Sequence, residues 1–357
     1  MKKIAILGAG RSSSSLIRYM LAQAKQNNWF LRVCDMDVNM AESKIANHDC
    51  AEAVQFDVFN KEQVKKEISN ADLIVSMLPA SFHIHVIEEA INQSKNVVTP
   101  SYISPEVKAL DSAAKEAGVL IMNELGVDPG IDHMSAMKLI NEIKDNDGEI
   151  LNFESFTGGL VAPESDNNPW NYKFTWNPRN VVIAGQGGCA KFIEEKQFKY
   201  IPYNKLFRRT EFIDIDGFGK FEGIANRDSL KYQSVYGLEN INTIYRGTLR
   251  RVGFSRAWDV FVQIGATDDS YTMENTEEMT YRDFINSFLA YSPTDSAELK
   301  LRHYLKIEQD DTLWEKLVWL GIFEQTKVGL KNATPAQILQ KILEEKWTLA
   351  PDDKDMI

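Results

Sequence analysis

The sequence predicts an α/β protein: an open, doubly wound parallel sheet, then an α/β domain with a mixed sheet, then a small helical domain. Three observations predict it. Over residues 3–122, six short apolar runs alternate with amphipathic helical patterns. The first run ends in Gly8-Ala9-Gly10, where a strand would pass into its helix. After residue 148 the texture changes to strand-like runs between Gly-, Asn- and Pro-containing loops, and from Tyr281 to Trp347 the signal is mainly helical.

The elements follow in order. Residues 3–8 (KIAILG) are a short apolar run, and a helical pattern extends from about Ser12 to Lys25. A second run, Phe30 to Cys34, closes at Asp35; a helix follows near 39–46, and a third run, 51–56, closes at Asp57. A helix at about 60–69 precedes the continuous run 73–78, stopped by Pro79. Helix 82–93, strand 96–99, helix 105–116 and strand 119–122 complete the alternation. Apolar runs separated by amphipathic helices mean parallel strands joined by right-handed crossovers. Beyond residue 148, the segments 149–157, 181–185, 211–216 and 258–266 read as strands. Apolar residues at helical spacing, among them Trp314, Leu317, Val318 and Ile322, mark the final region.

Composition narrows the class. A chain of 357 residues holds two or three domains, at roughly 100–200 residues each. With 44% hydrophobic residues it can bury a large core, which excludes a disordered or fibrous protein. The net charge of −11 repels phosphate backbones, so nucleic acid and anionic membrane are not expected partners. Three cysteines (Cys34, Cys50, Cys189) without a CxxC pair speak against a disulfide framework or a metal ribbon. No stretch approaches the ~18 apolar residues of a membrane span. The expectation is a cytoplasmic protein with a small-molecule substrate and no metal.

The start of the chain points to a dinucleotide. Glycines at a strand-to-helix turn allow a tight bend and close approach of backbone to a pyrophosphate, and the helix N-terminus presents unpaired N–H groups to it. Gly8, Ala9, Gly10, Arg11 and Ser12 form this candidate loop; Ser13 stands where the full fingerprint has a third glycine. Ser12 and Ser13 are placed to cap the helix or bond the phosphate. Asp35 closes the second strand 25 residues after Gly10. A carboxylate there accepts ribose hydroxyls and repels a 2′-phosphate, which favours NAD over NADP. Asp57 and Val58, after strand three, are candidates for the adenine, and Leu78, after strand four, for the nicotinamide ribose.

Two further loops emerge at the same edge of the sheet. Thr99-Pro100-Ser101-Tyr102 follows strand five, and a loop from Asn123 to His133, with Gly126, Val127 and Asp128 at its centre, follows strand six. Asp128 directly precedes Pro129, the pattern of an N-cap with proline in the first helical turn. Asp128 and Tyr102 are the candidate catalytic groups, with Asp128 also expected beside the cofactor. His133 is a further proton carrier in reach of the same helix.

Five segments carry a family resemblance. VVTPSYISPEVKALDSAAKEAG (97–118), MNELGVDPGIDHM (122–134), GGLVAPESDNNPWNYKFTWNPR (158–179), NRDS (226–229) and IYRGTLRRVGF (244–254) resemble the saccharopine reductase family, and the match runs in order from residue 4 to the end. The resemblance implies hydride transfer to or from a nicotinamide cofactor, interconverting saccharopine with L-glutamate and α-aminoadipate semialdehyde. It implies that Arg227, Thr248, Leu249 and Arg250 line the substrate site, with Ser101 and Tyr102 beside them. Saccharopine carries three carboxylates, and Arg227, Arg246, Arg250 and Arg251 offer guanidinium forks that bind carboxylates bidentately. If 244–250 is a strand, Arg246, Thr248 and Arg250 share one face. The expected boundaries are a Rossmann dinucleotide-binding domain at 1–130, a substrate domain at 131–280 and a helical domain at 281–357, with a homodimer as the assembly to test.

The chain also departs from the family pattern. Thr157 stands where the family usually has a cysteine before Gly-Gly-Leu, and Asp35 replaces the basic residue of NADP-using fungal members. The family continues beyond a motif like Asp353-Lys354-Asp355-Met356, so the chain resembles a shortened member. A carboxynorspermidine-type imine dehydrogenase and a redox-inactive NAD-binding regulator are the alternative readings.

Overall fold

The structure, a computed structural model, describes residues 1–186 and 188–357. The chain forms two compact units, Met1–Leu139 and Ile140–Ile357.

The first unit runs β1 (Lys2–Leu7), α1 (Ser14–Asn27), β2 (Trp29–Asp35), α2 (Val38–Ile45), β3 (Ala51–Gln55), α3 (Lys61–Ser69), β4 (Leu73–Ser76), α4 (His83–Asn92), β5 (Asn96–Val98), α5 (Pro105–Ala109), α6 (Asp111–Glu116), β6 (Ile121–Met122) and the start of α7 (Ile131–Asp145). Its six strands pair in parallel in the order β3-β2-β1-β4-β5-β6. Strand alternation splits the core in two. Ile4 and Ile6 pack with Ile17, Leu21 and Ala41 of α1 and α2 on one face. Ala5 and Leu7 pack with Val64, Ile68, Val86 and Ile87 of α3 and α4 on the other. Helices therefore cover both faces, as a doubly wound sheet requires. The single helix expected at 105–116 is two helices, because Leu110 leaves helical geometry between them.

The second unit contains β7 (Asn152–Thr157), β8 (Leu160–Val161), α8 (Pro178–Val182), β9 (Cys189–Glu194), β10 (Gln197–Pro202), α9 (Tyr203–Leu206), β11 (Thr210–Ile215), β12 (Gly219–Ala225), α10 (Tyr232–Val235), β13 (Thr243–Arg251), α11 (Phe254–Ile264), α12 (Tyr281–Asn286), α13 (Ala297–Leu305), α14 (Thr312–Trp319), α15 (Pro335–Trp347) and β14 (Asp355–Met356). The sheet order is β10-β9-β13-β12-β11, antiparallel except that β7 pairs with β13 in parallel. One apolar cluster joins Trp170, Tyr172 and Phe174 to Phe254, Trp258 and Phe261 of α11 and to Trp347 of α15.

Two strand assignments are corrected. Residues 181–185 begin in α8, whose N-terminus is capped by Asn177 and carries Pro178 at its first turn. Residues 258–266 lie mostly in α11, which is buried over most of its circumference. The run Val260-Phe261-Val262 reads like a short buried strand when taken from residue 258, although Phe254, Ala257, Trp258, Phe261 and Ile264 recur at helical spacing. Its N-terminal N–H groups at Gly253 and Ser255 are accepted by the Glu222 carboxylate at 2.7 and 2.9 Å, a cap from another strand that has no local signature. The β9–β10 hairpin also gave no turn signal. Glu195 and Lys196 adopt φ 48° and 63° at its tip, where Asn-Gly is the usual pair.

Candidate functional site

In the first unit, the candidate cofactor residues follow the carboxyl ends of parallel strands, the edge where open α/β sheets bind ligands. Gly8 has φ 105°, and a Cβ there would lie 2.8 Å from the Met77 carbonyl oxygen, so only glycine fits. A Cβ on Gly10 would meet nothing within 4 Å, so the protein itself leaves that space open beside the turn. Both features fit a dinucleotide phosphate against the backbone. The Gly10 carbonyl accepts from the Ser13 hydroxyl at 2.8 Å and from Lys44 Nζ. Ser13 is buried with its hydroxyl on the Gly10 carbonyl and makes no cap bond, while Ser12 and Arg11 lie exposed.

Asp35 is tied to this turn. Its carboxylate accepts from Ala9 N at 2.6 Å and from Asp37 N at 3.0 Å, which fixes a negative charge beside the loop. Lys44 stands next to it, donating to Ser14 Oγ at 2.7 Å; burial lowers its pKa and the Asp35 charge opposes that shift. Asp57 accepts from Phe59 N at 2.9 Å and so shapes its own turn, Val58 is buried in the core, and Leu78 is half-buried against that core.

The loop after β6 is folded tightly on itself. Gly126 N donates to Pro129 O at 2.9 Å, Ile131 N to Gly126 O at 3.0 Å and Asp132 N to Val127 O at 3.0 Å. A Cβ on Gly130 would lie 2.1 Å from Gly126 O, so glycine is obligatory there. These backbone bonds occupy the entry to α7, and Asp132 accepts from Gly130 N at 2.7 Å. The helix α7 opens at Ile131, so Asp128 lies three residues before its first turn. Its Oδ1 accepts the Tyr102 hydroxyl at 2.7 Å, joining the two candidate catalytic residues from separate loops. His133 lies 3.2 Å from a Glu124 carboxylate oxygen and 3.8 Å from one of Asp132, so it belongs to an acidic cluster rather than standing alone.

Sequence reasoning missed the neighbouring His83. It is buried at the start of α4, with Nδ1 2.8 Å from Ser76 Oγ and Nε2 2.7 Å from Ser101 Oγ. Burial pushes its pKa down to about 4, so the ring is neutral. The signal was its place just past the end of strand four, but a histidine in an amphipathic helix has no motif.

In the second unit, β13 is the strand that the arginine spacing required. Arg246, Thr248 and Arg250 alternate onto one face. Arg250 is buried, with its guanidinium 4.9 Å from the Tyr172 ring centre and 5.4 Å from that of Phe254. It donates to Leu249 O at 2.7 Å, and among the described residues no carboxylate pairs with it. The Tyr172 hydroxyl is buried without a hydrogen-bond partner among the described residues. Burial raises its pKa and the Arg250 charge opposes that. A buried cation without a counter-ion, beside an unmet hydroxyl donor, is an arrangement that an incoming carboxylate completes. Arg246 lies 4.3 Å over the Tyr232 ring, and Arg227 holds a left-handed backbone at φ 50°. Thr157 of β7 pairs with Thr248.

Of the four arginines offered as carboxylate forks, Arg251 does not share the face of Arg246 and Arg250. It lies on the other face of β13, over the Phe221 ring and donating to Phe218 O at 2.7 Å. Leu249 shares that face and packs with Leu160 and Phe221. One residue along a strand reverses the direction of the side chain.

A doubly wound dinucleotide fold, with a Tyr–Asp pair at its ligand edge, defines a nicotinamide-dependent oxidoreductase. Residues 4–122 match the saccharopine dehydrogenase NADP binding domain and residues 126–357 the saccharopine dehydrogenase C-terminal domain. The chain belongs to the saccharopine dehydrogenase family and is an NAD(P)-dependent dehydrogenase of the group acting on CH–NH donors. It is 33% identical to saccharopine dehydrogenase (NADP(+), L-glutamate-forming) of Schizosaccharomyces pombe over all of this chain and 80% of that protein. It is 31% identical to mitochondrial alpha-aminoadipic semialdehyde synthase of Rattus norvegicus over all of this chain and 38% of that protein. The apo saccharopine dehydrogenase (L-Glu forming) of Saccharomyces cerevisiae superposes with a TM-score of 0.85 at 27% identity, over 99% of this chain and 80% of that one.

Proposed function

We propose that the protein interconverts saccharopine with L-glutamate and α-aminoadipate semialdehyde: hydride leaves the terminal CH2 of the aminoadipyl chain, the C–N bond there becomes an imine, and water cleaves it to the semialdehyde while the amine departs on glutamate. The observation that carries this is Arg250, a buried cation held by aromatic rings that no carboxylate pairs with among the described residues. A substrate with three carboxylates supplies what that guanidinium lacks. Arg227, Arg246 and Thr248 are the further carboxylate ligands, and Leu249 contributes its backbone. When bound, the nicotinamide supplies the site where hydride is gained or lost. Gly8, Ala9, Gly10, Arg11 and Ser12 take the pyrophosphate, Asp57, Val58 and Leu78 border the nucleosides, and Gly126, Val127 and Asp128 border the nicotinamide. Tyr102 and Asp128, already hydrogen-bonded, orient the substrate nitrogen or its water and balance positive charge on that nitrogen. Ser101 binds substrate beside them. Thr157, paired with Thr248, replaces a thiol that this chemistry does not need.

The same reading takes NAD as the preferred cofactor. Asp35 supports it, since a carboxylate anchored to the phosphate turn repels a 2′-phosphate. The relatives named for NADP(+) speak for the phosphorylated cofactor, so both must be tried.

The test is turnover: purified protein with saccharopine and NAD or NADP, followed by reduced nicotinamide absorbance and glutamate release. Saccharopine-dependent reduction with stoichiometric glutamate supports the reading. Binding of dinucleotide without turnover would instead favour the redox-inactive regulator, and turnover with carboxynorspermidine alone the sister dehydrogenase.

A further inference from the structure

The His83 contacts impose a direction on a hydroxyl at the ligand edge. Ser76, His83 and Thr99 are all at least 98% buried, whereas Ser101 is only half-buried. Ser76 Oγ lies 2.8 Å from Nδ1; Ser101 Oγ lies 2.7 Å and Thr99 Oγ1 3.3 Å from Nε2. Thr99 Oγ1 also accepts the Ser101 backbone N–H at 3.3 Å. Among the described residues, neither Ser76 Oγ nor Ser101 Oγ has any other partner.

A neutral imidazole carries one N–H and one lone pair, so two arrangements compete. With the proton on Nδ1, Ser76 must accept, and Ser101 takes the one lone pair of Nε2. The hydroxyl hydrogens of Ser76 and Thr99 are then both buried without acceptors. With the proton on Nε2, Ser76 donates to Nδ1, Nε2–H donates to Ser101, and only the Thr99 hydrogen is left over. Buried donors without acceptors are the expensive error in a protein interior, so the second arrangement prevails.

We propose that His83 is a positioning residue that leaves the Ser101 hydroxyl hydrogen free as an outward hydrogen-bond donor, which favours a carboxylate oxygen of the substrate at that point. This rests on the proposed saccharopine chemistry for the identity of the ligand, but the hydroxyl direction does not. The ring stays neutral because burial disfavours its charged form. The backbone supports the geometry, since Ser76 ends β4, His83 opens α4, and Thr99 and Ser101 follow β5.

Two measurements test it. Nitrogen-15 NMR of the unmodified protein reads the tautomer directly, with His83 recognised as the ring that remains neutral as pH falls to about 5. An Nε2–H tautomer is expected; an Nδ1–H tautomer overturns the proposal whether or not the protein turns over saccharopine. In kinetics, Ser101→Ala and His83→Leu should each raise the saccharopine KM about 10-fold with little change in the dinucleotide KM. The double variant should be no worse than Ser101→Ala, and Ser101→Thr should retain most of the affinity. Multiplying effects in the double variant would show that His83 acts only through stability. Absence of saccharopine turnover in the unmodified protein removes the substrate assignment and leaves the tautomer result standing.

Discussion

Replacing Arg250 with Met separates substrate binding from folding. A structural arginine, once removed, leaves a carboxylate partner buried and alone, at 3–5 kcal/mol. Arg250 has no such partner among the described residues; its contacts are the Leu249 carbonyl and the faces of Tyr172 and Phe254. The hydrogen bond is worth about 1.5–3 kcal/mol and the stacking about 0.5–2 kcal/mol. Against these stands relief from holding an uncompensated charge out of water, which is of several kcal/mol. The terms are of similar size, so the folding free energy should move by less than about 1 kcal/mol, a Tm shift of at most a few degrees. Saccharopine binding, in contrast, should lose at least one charge-assisted bond, about 1.5–3 kcal/mol, or roughly 10- to 150-fold in KM. The assay is steady-state kinetics beside thermal melting, with NAD affinity as the control. A collapse of Tm with unchanged KM in the folded fraction would refute the reasoning, as would equal losses of NAD and saccharopine affinity.

Three further outcomes are expected. Asp35→Ser keeps an acceptor for Ala9 N but removes the charge, so the NAD-to-NADP ratio of kcat/KM should fall by at least about 10-fold; an unchanged ratio would remove Asp35 from cofactor choice. Tyr102→Phe and Asp128→Asn should each lower kcat on the order of 100-fold, and together no further than the worse of the two, because the pair acts as one hydrogen-bonded unit. Independent, multiplying losses would count against that unit. The third concerns His83, whose pKa falls from 6.5 to about 4 on burial among uncharged hydroxyls. The unfolded state binds the extra proton between those values, so this contribution to stability is full above pH 6.5 and is lost as pH falls toward 4, up to about 3 kcal/mol. Melting of the parent and His83→Leu proteins at pH 7 and pH 5 checks this: the variant should lose less on acidification, and identical losses would contradict it.

Much of the first unit was legible because each strand and helix there is a local pattern. A continuous apolar run between amphipathic helices is read from neighbours in sequence, and Gly8 and Asp35 sit at strand ends that those runs define. The second unit was harder. The helix at Phe254–Ile264 keeps apolar residues at helical spacing, but the stretch read as a strand started inside it at residue 258, on the apolar run Val260-Phe261-Val262, and its N-terminal cap comes from Glu222, 31 residues before Gly253. The Glu195-Lys196 hairpin tip used residues that carry no turn preference.

The sequence by itself determined the alternation of the doubly wound sheet, the glycine turn with its acidic strand end, and the arginine spacing that places Arg246, Thr248 and Arg250 on one face. These are properties of residues a few positions apart. Tertiary structure alone decided that Asp128 accepts the Tyr102 hydroxyl, that Arg251 turns away, and that His83 joins Ser76 to Ser101. Each of these depends on which loops meet at a strand end, and a hydrogen bond across 26 residues leaves no period in the chain that could announce it.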